Sequence, residues 1–175
     1  DATGMIDVGN ISVGILVYNA SHNKILDNLV SGNNGGGISF WEDEEPGTYL
    51  TRNNIISRNR VGLKANGTEW LGNDYFGIGV QRSHDNLVGG LSSEEGNIVV
   101  GSGMSGIIIS HDATGNRVLR NYVGTNPDET IAMPNYKGIA LATGVNKNLV
   151  GGNIIAFNEY QGVHIDPNAN ENNLE

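Results

Sequence analysis

The chain has 175 residues, 38% hydrophobic but only 6% aromatic, with 26 glycines: enough for one cored domain, built around many tight turns rather than one aromatic-rich centre. A formal charge of -9 lacks the basic face that nucleic acid or an anionic membrane requires, and no apolar run approaches the ~18 residues of a bilayer span. Cysteine is absent, which excludes disulfides and thiolate metal sites, and nothing in the composition calls for a cofactor.

The chain starts at Asp1 rather than Met, as a processed form or excised segment would. The first element is the tetrad Gly14-Ile15-Leu16-Val17. Five more Gly-apolar-x-apolar tetrads follow, at Gly37, Gly77, Gly106, Gly138 and Gly162, with gaps of 23, 40, 29, 32 and 24 residues. The short gaps define a repeat unit of roughly two dozen residues, and the long ones carry insertions.

Between the tetrads, "NKILDNLVSGNNGGG" (23–37) aligns without a gap on "NLVGGNIIAFNEYQG" (148–162), placing Asn23, Asn28 and Asn33 over Asn148, Asn153 and Asn158. A third copy starts at Asn86 and resumes at Asn97 after a six-residue insertion. A second block, Arg58–Ile78, resembles Arg120–Ile139. A five-residue asparagine step fits neither a helix nor a flat strand. Two residues after the leading asparagines stand only Ile or Val: Ile25, Val30, Ile56, Val61, Val88, Val99, Val118, Val123, Val150 and Ile155. Each step is therefore a very short strand with one inward β-branched side chain, followed by a bend. Asparagine is expected to take the left-handed bend conformation and to bond its equivalents in a ladder. The tetrad glycines are expected to turn tightly or take positive φ.

These features predict an all-β fold: one parallel β-helix domain over 1–175, a solenoid of about six coils with loop insertions. Its interior columns run Ile15, Ile38, Ile78, Ile107, Ile139, Val163 and Val17, Phe40, Val80, Ile109, Leu141, Ile165. Asn153→Ala should disturb a ladder, and Lys147→Ala should cost almost nothing. The phase at Asp1–Gly4 matches that at Asp112–Gly115, and Asn172 follows Gly162 as Asn116 follows Gly106. The chain thus reads as a piece of a longer solenoid, or as a subunit whose open ends self-associate into a filament.

The phrases "NLVGG…NIIAFN…GVHI" and "NYVGTNPDETIAMPNYKGI" resemble the right-handed parallel β-helix repeat proteins of bacterial and archaeal cell surfaces, in the pectate-lyase-like superfamily. The resemblance covers nearly the whole chain and is specific for fold, not activity. It implies an extracellular or cell-surface location. It also leaves two function classes: a non-catalytic, adhesin-like scaffold, or a carbohydrate-active lyase, epimerase or glycosidase. Right-handed winding follows from the resemblance and from the chirality of parallel crossovers.

In the β-helix enzymes the substrate groove runs along one exposed sheet. The outward tetrad positions here are Leu16, Ser39, Gly79, Ile108, Ala140 and His164, so His164 with nearby Asp166 is the catalytic candidate. Ser-His pairs at His22, His84 and His111 raise a metal column, though their offsets differ. The acidic insertion "WEDEEPG" places Asp43, Glu44 and Glu45 as calcium candidates. Trp41, Glu42 and Glu44, with Trp70 and Tyr75 from the next insertion, are expected to share one lateral face for polysaccharide or partner binding. Sequons at Asn10, Asn19 and Asn66 are present, with Asn19 and Asn66 in turns as the glycosylation candidates.

Overall fold

A computed structural model describes residues 3–43 and 50–175. Three parallel sheets wrap one core. Sheet A stacks β1 (Ile15–Tyr18), β4 (Ile38–Trp41), β7 (Phe76–Gln81), β10 (Ser105–Ser110), β13 (Lys137–Leu141) and β16 (Val163–Ile165). Sheet B stacks β2 (Lys24–Leu26), β5 (Ile55–Ser57), β8 (Leu87–Gly89), β11 (Arg117–Leu119), β14 (Leu149–Gly151) and β17 (Asn173–Leu174). Sheet C stacks β3 (Leu29–Val30), β6 (Arg60–Val61), β9 (Ile98–Val99), β12 (Tyr122–Val123) and β15 (Ile154–Ile155). Each coil visits A, B and C in turn, and every strand pairs with its equivalent one coil away. The chain is a parallel β-helix.

The registers reproduce both tetrad columns: Ile15 to Ile38 to Ile78, then Ile107, Ile139 and Val163, with Val17 to Ile165 alongside. Nine of the ten Ile/Val positions two after an asparagine are buried; Ile155 is partly so. A further inner column lies at the A-to-B corner: Ala20, Thr51, Ser83, Ala113, Val145 and Ala169, each three residues before an asparagine. It escapes a hydrophobic scan because half of it is alanine and two members are hydroxyl residues.

Asparagine ladders hold the corners. One joins Asn23, Asn54, Asn86, Asn116, Asn148 and Asn172; a second joins Asn28, Asn59, Asn97, Asn121 and Asn153. In each rung the backbone N–H and Nδ2 of one asparagine both donate to Oδ1 of the next coil's asparagine, as Asn97 does to Asn121 at 3.0 and 2.8 Å. Nδ2 also donates backward to a backbone carbonyl, here Ile56 at 2.9 Å. In the middle coils these groups are buried, so the amide replaces the water that the turn backbone loses.

Two expectations about the bends are corrected. The ladder asparagines do not take the left-handed conformation; the residue before each generally does. His22, Asp27, Arg58, Asp85, Arg120, Lys147 and Glu171 have φ between 53° and 61° and immediately precede ladder asparagines. That residue makes the sharp turn, leaving the asparagine to aim its amide along the stack. The tetrad glycines do not take positive φ either. A Cβ on Gly77 would lie 2.3 Å from Val99 Cγ1 and 2.7 Å from the Gly106 carbonyl, so the glycines admit close approach between coils.

A third ladder runs Asn10, Asn33, Asn73, Ser102, Asn135, Asn158 at the C-to-A corner. Ser102 interrupts it. The Ser102 Oγ is buried and makes no hydrogen bond in the structure, while its N–H still donates to Asn135 Oδ1 at 3.0 Å. Ser102 and Asn73 stand equally far before their tetrad glycines, and each lies about as close to the glycine one coil earlier. Ser102→Asn is therefore expected to complete the ladder and stabilise the protein by about 1 kcal/mol in urea unfolding. A destabilised variant would show that the corner has no room for the amide.

The long insertions form similar hairpins between sheets C and A, with antiparallel bridges Leu63 to Trp70 and Thr125 to Ala132. They cover a small second cluster of Leu63, Val100 and Met133.

Candidate functional site

The acidic insertion leaves the end of β4. Trp41 is flanked by the Arg82 guanidinium, 5.1 Å from its ring centroid, and by the edge of His111, also at 5.1 Å. Glu42 turns inward. It is 2% exposed, accepts the Thr51 N–H at 2.8 Å and lies 3.8 Å from His84 Nε2. Asp43 is tied down instead: the Tyr18 hydroxyl and Asn19 Nδ2 (2.9 Å) both donate to it, and its N–H donates to Asn19 Oδ1 at 3.1 Å. The Tyr18 bond, then the Asn19 bond, hold the Asp43 carboxyl below its usual range, and the same contact raises the Tyr18 phenol. Glu44 and Glu45 lie outside the described residues.

The expected common face is not formed. Trp41 closes β4, whereas Trp70 and Tyr75 precede β7, so they sit at opposite ends of the sheet A strands. Trp70 instead lies over Gly101. Tyr75 begins an exposed stripe, two residues before the tetrad glycines of successive coils: Tyr75, Met104, Tyr136 and Tyr160. Alignment of the blocks on their tetrad glycines already contains this stripe; only Tyr75 stands out when insertions are read separately.

The outer face of sheet A is floored by small residues. Ser39, Gly79 and Ala140 are buried in the outward column, with Phe76 lying beside Gly79 and Gln81 Nε2 donating to Ser39 Oγ at 3.2 Å. His164 Nε2 is 2.7 Å from Asp166 Oδ1, so these two candidates do form a hydrogen-bonded pair, on the last strand of the sheet. A pair of this kind positions one proton; its sheet neighbour is Ala140, which supplies neither nucleophile nor second acid.

The histidines form no column. His22 and His111 occupy left-handed bends and bond the adjacent Ser21 and Ser110, whereas His84 lies in the bridge column Arg52, His84, Thr114, Asn146. Among the described residues no group of three His, Cys, Asp or Glu is arranged to hold a metal. Of the sequons, Asn10 is committed to the third ladder and Asn19 to Asp43, while Asn66 sits exposed in a hairpin with its amide on Glu69 Oε1 at 2.9 Å.

Burial pushes the His84 imidazole below its usual pKa of 6.5, against smaller opposing effects of Glu42 and Asp85. The unfolded chain then binds a proton more readily than the folded one. Stability contributed at this corner is complete above pH 6.5 and declines as pH falls toward the lower folded value. The melting temperature is expected to drop between pH 7 and 5.5, with a smaller drop in His84→Gln. Identical pH profiles would remove His84 from this role.

No family model, curated protein or solved structure matches this chain. The fold therefore rests on its strand registers and ladders.

Proposed function

We propose that this β-helix is a non-catalytic scaffold of the extracellular, cell-surface type that its repeats resemble, presenting its corners and loops as adhesive surfaces. The observation that carries this reading is the outward face of sheet A, where catalysis in β-helix enzymes is housed. Here that face offers Leu16, Ser39, Gly79, Ile108 and Ala140, with Phe76 and Gln81 packed over its middle and His164 confined to the last strand. Side chains of this kind support stacking, and along the first five strands they give a substrate no acid or base to meet.

Self-association is part of the proposal. The ladders are polar, each asparagine donating toward one end of the stack and accepting from the other, so a further coil adds in one sense only, whether from the same chain or from a second copy. Ile6, Val8 and Ile11 are exposed at one end of the described stack, and Ile165 and Leu174 at the other. Light scattering over a concentration series is expected to show growth beyond monomer; compact monomers at every concentration would remove the filament.

A second reading, a carbohydrate-active or glycan-binding protein, is favoured by the His164–Asp166 pair. Uronic-acid polymers assayed for unsaturated ends or changed epimer content decide between the two. Activity lost in His164→Ala would overturn the scaffold reading.

A further inference from the structure

Five of the six tyrosines are described, and only two of them occupy the same position in consecutive coils. Tyr136 and Tyr160 stand two residues before Gly138 and Gly162, and the Tyr160 N–H donates to the Tyr136 carbonyl at 2.9 Å. Their rings stack with centroids 5.6 Å apart and planes 12° from parallel. They are 44% and 63% exposed, so an oxidant reaches both. The others lack such a neighbour. Tyr75 is followed along the stripe by Met104, Tyr122 pairs with Ile98 and Ile154, and Tyr18 pairs with Trp41.

We infer that Tyr136 and Tyr160 form a modification site: a dityrosine pair that a one-electron oxidant of the peroxidase–peroxide class converts into a covalent staple between the fifth and sixth coils. Each phenol gives up one electron and one proton to become a phenoxyl radical. The two radicals join through the ring carbons ortho to oxygen, and each ring regains aromaticity by moving that carbon's hydrogen to oxygen. The pair loses two hydrogens in all, and one hydrogen peroxide takes them up as two waters. The strand register does the positioning, holding the rings together before any radical forms.

The chain contains no cysteine, so a covalent tie between these coils has to come from other side chains. A cross-link from 136 to 160 closes a loop of about two dozen residues in the unfolded chain and raises the melting temperature, as a disulfide of that span does. Nothing in this chemistry depends on whether the protein is a scaffold or an enzyme.

The test is oxidation of dilute protein by horseradish peroxidase and hydrogen peroxide, with a tyrosine-containing peptide as positive control, followed by dityrosine fluorescence and peptide mass mapping. A monomer lacking two hydrogens, with residues 136 and 160 in one cross-linked peptide pair, is the expected product. Oxygen gained at Met104 is distinguished by its mass. Tyr136→Phe and Tyr160→Phe keep the stacked ring and remove the phenol; each should cut the fluorescence at least tenfold, whereas Tyr75→Phe and Tyr122→Phe should leave it unchanged. Dityrosine that persists in Tyr136→Phe or Tyr160→Phe, dityrosine confined to dimers, or none at all while the control peptide couples would each overturn the assignment.

Discussion

Asn97→Ala is expected to destabilise the protein by about 3–4 kcal/mol, measured by urea unfolding. Asn97 is fully buried in the third coil. Its Oδ1 accepts the backbone N–H and Nδ2 of Asn59 at 2.9 and 3.0 Å, and its Nδ2 donates to Asn121 Oδ1 and the Ile56 carbonyl at 2.8 and 2.9 Å. Truncation removes all four bonds and strands buried partners above and below, each at a cost of about 1–3 kcal/mol when water cannot enter. Some of that cost is relieved because Asn59 Nδ2 keeps bonds to the Ile25 and Ser57 carbonyls. Asn34→Ala is the matched control. Asn34 is exposed and stands just after a ladder position, so its loss should stay within about 0.5 kcal/mol. Equal effects at 97 and 34 would mean that the amides decorate the corners rather than hold them.

Gly77→Ala is expected to cost about 3 kcal/mol or more, or to prevent folding, for a reason unrelated to backbone freedom. Its new methyl would stand 2.3 Å from Val99 Cγ1 and 2.7 Å from the Gly106 carbonyl, and that carbonyl belongs to β10, which is held between β7 and β13 and cannot withdraw without disturbing both pairings. Gly67→Ala separates this cause from strain. Gly67 has φ +74° with nothing within 4 Å of a Cβ, so alanine there pays only the left-handed penalty of about 1 kcal/mol. If the two substitutions cost the same, close packing between coils is not what selects glycine in the tetrads.

The coil path was legible because two signals agreed: an Ile or Val two after each asparagine, and a tetrad after each glycine. Both report side chains that must point inward, and inward positions tolerate little variation. The bends were misread because sequence shows which residue recurs, not which residue carries the strain. Asparagine recurs because its amide fits the ladder; the left-handed residue before it is His, Asp, Arg, Lys, Glu, Asn or Gly, a mixture without a signature. Lys147 is one such residue, and its ion pair with Glu171 is loose at 3.8 Å and exposed. Lysine and alanine both carry a Cβ and meet the same left-handed penalty at φ 56°, so Lys147→Ala should stay within about 0.5 kcal/mol.

The candidate site was less legible, because loops join residues by the path of an insertion and not by a period. Glu42 and Asp43 are adjacent and acidic, yet one is buried against Thr51 and His84 and the other tethered by Tyr18 and Asn19. Trp41 and Trp70 looked like neighbours because they stand in successive insertions; the sheet A strand lies between them. His164 and Asp166 could be paired from sequence, since two residues apart on a strand end is within reach of one hydrogen bond.

Hydrogen exchange of the asparagine side-chain amides, resolved by NMR, tests the stacked corners most directly. The Nδ2 protons of Asn59, Asn86, Asn97, Asn116 and Asn121 should exchange far more slowly than those of exposed Asn34 and Asn66, with hydrogen-bond couplings linking Asn97 Nδ2 to Asn121. Ladder amides that exchange as fast as Asn34 and Asn66, with no such coupling, would contradict a β-helix built on asparagine rungs.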